Sequence, residues 1–84
     1  MPDHREALTA LLIKYEAPAD KIAPEATLDD LGLDSLAAVE IFLALQEQLA
    51  IPNLDDSKAH TALTVNQILA MIEEEIETER NGAR

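Results

Sequence analysis

A carboxylate and a hydroxyl stand side by side at the start of an apolar helix, in the stretch Leu31-Gly32-Leu33-Asp34-Ser35-Leu36. Gly32 permits a positive φ, so the chain can turn sharply into the helix. Asp34 is a good N-cap, because its carboxylate can accept free backbone N–H groups of the first turn. Ser35 then falls in that first turn, where the positive end of the helix favours an anion such as a phosphate ester. The pattern predicts that Ser35 is accessible and ready to bear an anionic adduct, with simple helix capping as the alternative.

A first helix and a long connection precede this stretch. The helix is predicted from about Pro2 to Tyr15, and its apolar residues recur at helical spacing. That apolar face consists of Leu8, Leu11, Leu12 and Tyr15. Prolines and a glycine between Glu16 and Leu33 exclude one continuous helix there. We expect Ile22, Leu28 and Leu31 to anchor this long loop to the rest of the molecule.

The second half of the chain reads as two main helices and a short one. The helix that begins at Ser35 is predicted to end at Leu49 or Ala50, before Pro52. A short turn of helix is expected from Asp56 to His60, and the last helix begins at Thr64 with a capping box. Their buried residues are predicted to be Ala38, Ile41, Phe42, Leu45 and Leu49, then Val65, Ile68, Leu69, Ile72 and Ile76.

These elements predict an all-α protein, a small four-helix bundle of three main helices plus one short helix. No segment reads as a strand. The 84 residues form a single domain, in which residues 1–2 and 78–84 are expected to fray.

Composition excludes several classes of function. A net charge of −11 argues against binding to nucleic acid and to anionic membrane surfaces, and it suits docking onto basic patches of other proteins. Plain solubility is the other explanation of that charge. The absence of cysteine means that any thiol chemistry must come from an attached group. No apolar run resembles a signal peptide or a membrane span, so we expect a cytoplasmic protein without membrane insertion.

The motif Asp-Leu-Gly-x-Asp-Ser-Leu at a helix start resembles the attachment motif of acyl carrier proteins. The likeness extends over nearly the whole chain, in its length, acidity, long first loop, helix order and motif position. It implies that a phosphopantetheinyl transferase places 4'-phosphopantetheine from coenzyme A on Ser35, with Asp34 orienting the site. The thiol of that arm would carry acyl groups as thioesters. The protein itself would then catalyse nothing.

The second helix is predicted to dock partner proteins. Leu36, Val39 and Leu43 form an apolar stripe beside the core-facing one, and Glu40 and Glu47 flank it. The alternative is that the three apolar residues pack against the long loop or the short helix. The resemblance implies that this face meets three kinds of partner: the transferase, an acyl- or aminoacyl-loading ligase, and synthase enzymes with basic docking patches. We expect the carrier to be a monomer.

Two positions depart from the fatty-acid members of the family. Ala37 and Gln46 stand where an acid is common, which leaves polyketide, aminoacyl and modified-lipid pathways open beside fatty acid biosynthesis. Peptide-synthesis carriers rank lower, because they usually show Gly-Gly-x-Ser. A different class of function is an acidic helical interaction module without a prosthetic group. A hydrolytic enzyme is a distant third, because no Ser-His-Asp arrangement stands out.

Neither histidine is predicted to ligate a metal. His4 and His60 are too few and too isolated in sequence for a metal site. We expect both to be surface residues. Asp29, Asp30 and Asp34 could hold a divalent cation loosely, but their spacing is not that of an EF-hand loop.

Overall fold

Three α-helices form the molecule in the computed structural model, which describes residues 3–82 and the side chains of residues 3–78. They are α1 (His4–Lys14), α2 (Ser35–Gln48) and α3 (Val65–Gly82). Two short 3-10 helices, Ala19–Lys21 and Asp56–Lys58, lie in the connections. The all-α prediction is confirmed, and the first 3-10 helix is an addition to it. No helix in the described part of the chain is long and apolar enough to cross a membrane.

The helix ends differ from the predicted ones by a few residues. Asp3 is the N-cap of α1, its carboxylate accepting the Arg5 N–H at 3.0 Å, so the helix begins at His4. The short helix stops at Lys58 rather than His60, with Asp55 as its cap. At the other terminus α3 continues to Gly82. The fraying of residues 78–84 stays a prediction. Residues 1–2, including the predicted helix start at Pro2, and residues 83–84 lie outside the described residues.

The core is aliphatic with one phenylalanine at its centre. It is built from all three helices and from both connections, and it includes two of the predicted loop anchors, Leu28 and Leu31. Ile22, the third, is half-buried against it. Each fully buried Leu, Ile or Phe side chain contributes about 1.5–3 kcal/mol to folding relative to an exposed one. The largest fully buried side chains are Phe42, Leu8, Leu12, Leu28, Ile41, Leu45, Ile51, Ile68 and Ile72.

The long loop is held by hydrogen bonds to the start of α3. Thr27 and Thr64 form an isolated antiparallel bridge, and Leu28 N–H donates to the Leu63 carbonyl at 3.1 Å. In the other direction, the N–H groups of Val65 and Asn66 donate to loop carbonyls, at 2.9 and 3.0 Å. The first turn of a helix has no intrahelical partners for these groups, so the loop caps α3 while α3 orders the loop.

Both connections begin with the same closing turn. After α1, Ala17 N–H donates to the Leu12 carbonyl at 2.9 Å, across the left-handed residue Glu16 (φ 72°). After α2, Ile51 N–H donates to the Gln46 carbonyl at 3.0 Å, across the left-handed Ala50 (φ 54°). This is the six-to-one hydrogen bond of the Schellman motif, which usually places glycine at the left-handed position. Neither position has a glycine, so each turn stores backbone strain.

Replacing Ala50 by glycine is expected to stabilise the protein. The left-handed conformation costs an L-residue about 1–2 kcal/mol, of which the greater flexibility of glycine in the unfolded chain offsets roughly half. A net gain of about 0.5 kcal/mol would raise Tm by about 2–4 °C in a domain of this size. Thermal unfolding followed by circular dichroism measures this. The matched control is Ala10→Gly, at an exposed position inside α1, which should lower the free energy of unfolding by about 0.5–1 kcal/mol. A lower Tm for Ala50→Gly would contradict the conclusion that the left-handed conformation of Ala50 is strained.

Candidate functional site

A single closed turn, residues 27–33, leads into α2. At its start the Thr27 N–H donates to the Asp30 carboxylate at 3.1 Å, and the Asp30 N–H donates to the Thr27 hydroxyl at 3.0 Å. At its end Leu33 N–H donates to the Leu28 carbonyl and Gly32 N–H to the Asp29 carbonyl, both at 3.0 Å. These are a reciprocal capping box and a complete Schellman motif on one turn. The turn therefore has little freedom, and the chain leaves it in a defined direction.

Gly32 supplies the left-handed residue that this turn requires. Its φ is 79°, as the sequence predicted, and a β-carbon placed there would meet nothing within 4 Å. The glycine is therefore needed for its backbone conformation and not for space. Leu28, Leu31 and Leu33 of the same turn are buried, which ties the turn to the core. The Thr-x-x-Asp spacing of Thr27 and Asp30 is the sequence signal from which this capping box could have been predicted.

The start of α2 combines an occupied cap with unoccupied donors. Asp34 is the N-cap, as predicted, and its carboxylate accepts the Ala37 N–H at 2.8 Å. Ser35 is the first helical residue, and both residues are exposed. Within residues 3–82, nothing accepts the N–H groups of Ser35 and Leu36, and nothing hydrogen-bonds the Ser35 hydroxyl. A phosphate group esterified to Ser35 would meet two free N–H donors and the positive end of the helix.

The predicted docking residues mostly share one outward face of α2. Leu36, Glu40, Leu43 and Glu47 follow at spacings of four, three and four, and all are exposed. Leu36 is 65% and Leu43 is 47% exposed, so the loop and the short helix leave a large part of both side chains uncovered. Val39 is half-buried at the edge of this face. We call Leu36, Glu40, Leu43 and Glu47 the outward face; its role in docking stays a prediction.

Glu40 also interacts with the end of α1. Partial burial, and then the nearby Glu40 carboxylate, raise the pKa of the Tyr15 phenol above its usual value. The phenol beside this carboxylate is therefore harder to deprotonate than an ordinary tyrosine. Tyr15 was predicted to lie on the apolar face of the first helix, and it is half-buried against the core.

Gln46 has a structural role that the sequence did not reveal. Its side-chain amide is half-buried and donates to the Leu54 carbonyl at 2.6 Å and to the Asp56 carboxylate at 3.4 Å. A glutamate at this position would place a second acceptor against both groups. The absence of an acid at position 46 therefore follows from packing. Ala37 is also half-buried and packs against the core, where an ionised carboxylate would lose part of its hydration.

The histidines bind other parts of the chain. His4 Nε2 lies 3.0 Å from the Glu73 carboxylate and so joins the start of α1 to α3. His60 accepts the Ala62 N–H through Nδ1 at 3.2 Å. No group of three metal-ligating side chains occurs among the residues that the structure describes.

Comparison with known proteins assigns the chain to a family. Residues 6–72, well over half of the chain, match the family model described as the phosphopantetheine attachment site. The chain therefore belongs to this family of phosphopantetheine-bearing proteins. An acyl carrier protein of Desulforapulum autotrophicum is 43% identical over 54 residues, which are 63% of this chain and 69% of that protein. No solved structure gives a significant match.

The family assignment confirms the carrier class and its cofactor. The chain is a non-catalytic carrier protein, and its prosthetic group is covalently attached 4'-phosphopantetheine. The start of α2 fits such a group, because it offers an exposed hydroxyl and free N–H donors to a phosphodiester. The prosthetic group supplies a thiol, which the cysteine-free chain lacks.

Replacing Gly32 by alanine should lower the free energy of unfolding by about 1 kcal/mol, because the left-handed conformation is strained for a residue with a β-carbon. Asparagine tolerates this conformation better, so Gly32→Asn should lose less. Urea unfolding of both variants measures the difference. Since nothing crowds the β-carbon, equal and large losses for alanine and asparagine would show that sterics, rather than backbone strain, select the glycine.

Proposed function

We propose that this chain carries acyl intermediates as thioesters on a 4'-phosphopantetheine arm attached to Ser35. It would shuttle them between partner enzymes of fatty acid, polyketide or related biosynthesis. The observation that carries the proposal is the exposed, unbonded Ser35 hydroxyl at the first position of α2. Asp34 supports it by capping the helix through Ala37, which leaves the N–H groups of Ser35 and Leu36 free.

Attachment would make the carrier a substrate of a phosphopantetheinyl transferase. The Ser35 oxygen forms the new bond to phosphorus, the bond from phosphorus to the nucleotide part of coenzyme A breaks, and the serine proton passes to a base of the transferase. The carrier contributes position and access in this step. Both are supported by the closed turn before α2 and by the exposure of the hydroxyl.

The outward face of α2 is proposed as the docking surface for the transferase, for a loading ligase and for synthase enzymes. Its two leucines would enter apolar depressions on the partner, and Glu40 and Glu47 would pair with basic residues. Leu36 and Glu47 are eleven residues apart, so the face is roughly 16 Å long. We expect these partners to meet a monomeric carrier in the cytoplasm.

Priming of Ser35 is the first test. The purified protein is incubated with coenzyme A and a broad-range phosphopantetheinyl transferase, and the intact mass is measured. We expect the wild-type chain to gain one phosphopantetheinyl group and Ser35→Ala to gain none. Ser57→Ala is the matched control and should be primed normally, because Ser57 is an exposed serine in the short helix. A gain that persists in Ser35→Ala would overturn the attachment site.

Docking through α2 is tested by a pair of apolar truncations. Leu43→Ala should lower kcat/KM for priming by about three- to tenfold, as expected when roughly 1 kcal/mol of interface contact is lost. Ile13→Ala is the control, because Ile13 is 48% exposed, nearly the same as Leu43, but lies on α1. Equal effects of the two changes on kcat/KM would contradict docking on the outward face.

The family assignment argues against the interaction module without a prosthetic group. That module would require Ser35→Ala to keep full biological activity and Val39→Asp to abolish it. Loading of the primed chain with aminoacyl instead of acyl groups would identify an aminoacyl carrier. The activating enzyme that loads the primed form thus decides the cargo.

A further inference from the structure

Gln46 contacts the 51–58 segment at three points. Its carbonyl accepts the Ile51 N–H at 3.0 Å, and its side-chain amide donates to the Leu54 carbonyl at 2.6 Å and to Asp56 Oδ1 at 3.4 Å. The side chain is half-buried, so these bonds are partly shielded from water. Gln46, near the end of α2, thus forms hydrogen bonds with the beginning of the segment, with its middle and with its short helix.

The same contacts determine which side of α2 is covered. Val39 and Gln46 are seven residues apart, so they lie on one flank of the helix, and both are half-buried. The short helix, residues 56–58, packs against α2. Leu36 and Leu43 also lie seven residues apart, on the neighbouring face, and both are exposed. The boundary between covered and free surface therefore runs between these two pairs.

We propose that Gln46 is a positioning residue that latches the 51–58 segment onto α2 and so closes this flank to partner proteins. Partners then meet the outward face, with Glu40 and Glu47, and they find no contact at position 46. The statement about partners rests on the proposed carrier function, whereas the latch itself does not. The latch also explains why position 46 has an amide, although an acid there would extend the acidic surface. The side chain at this position must donate hydrogen bonds, which a carboxylate cannot do.

Hydrogen exchange of backbone amides tests the latch. The reporters are the N–H groups of Leu54, Ser57, Lys58 and Ala59, all of which donate to acceptors of the segment. Gln46→Glu removes the donor and turns a carboxylate toward two acceptors, so exchange at these amides should rise about tenfold or more while α1 changes little. Gln46→Met, of similar shape and without charge, should raise it less.

Two further variants separate the latch from general destabilisation. Gln48→Glu adds the same charge at an exposed position of the same helix and should leave the reporters unchanged. Asp56→Asn in the Gln46→Glu chain puts an amide donor opposite the new carboxylate and restores the original net charge, so it should recover part of the protection. Unchanged exchange in Gln46→Glu, an equal rise throughout α1, or no recovery in the double variant would overturn the latch.

Priming kinetics test the closed flank. If position 46 is closed to partners, Gln46→Glu should give no greater kcat/KM with the transferase than Gln48→Glu gives. A greater kcat/KM for Gln46→Glu would show that partners read position 46 and would overturn this part of the proposal. If the wild-type chain itself is not primed, the carrier function fails, but the exchange result still decides the latch.

Discussion

The position of Ser35 depends on the turn of residues 27–33, which is closed at both ends by hydrogen bonds. A capping box fixes its first residues, and a Schellman motif with Gly32 at the left-handed position fixes its last. Three buried leucines attach this turn to the core, and backbone hydrogen bonds attach the preceding loop to α3. The serine can therefore be exposed and still have a defined direction, because everything before it is constrained.

Much of this arrangement could be predicted from residue types and spacing. Helical periodicity predicted the three main helices and eleven of the eighteen buried apolar residues in the described part of the chain. The Thr64–Gln67 capping box was confirmed by both of its hydrogen bonds. Gly32 could be recognised because glycine marks a left-handed residue. Glu16 and Ala50 adopt the same conformation in equivalent turns without any such mark. The Gln46 contacts join α2 to a segment eight to ten residues away without helical periodicity, and no local pattern predicts them.

Charge acts on two different length scales in this molecule. The net charge of −11 produces a field that attracts basic partners from a distance, although salt screens it within about 10 Å at 0.1 M. The outward face itself has two carboxylates, and one of them lies beside Tyr15. Overall acidity would therefore affect the rate of encounter, whereas the alternation of leucine and glutamate on α2 would determine the register of the proposed docking. A surface of this kind is more apolar than the composition suggests.

The two helix starts explain why we propose the prosthetic group on α2 rather than on α3. At α3 the first four N–H groups all have acceptors: two loop carbonyls, the Thr64 hydroxyl and the Thr64 carbonyl. At α2 the Asp34 carboxylate and carbonyl accept from Ala37 and Ala38, and the first two N–H groups remain free beside an exposed hydroxyl. Both helices have a positive end, so the helix dipole alone does not distinguish them. The difference lies in the loop, which covers one helix start and leads into the other without covering it.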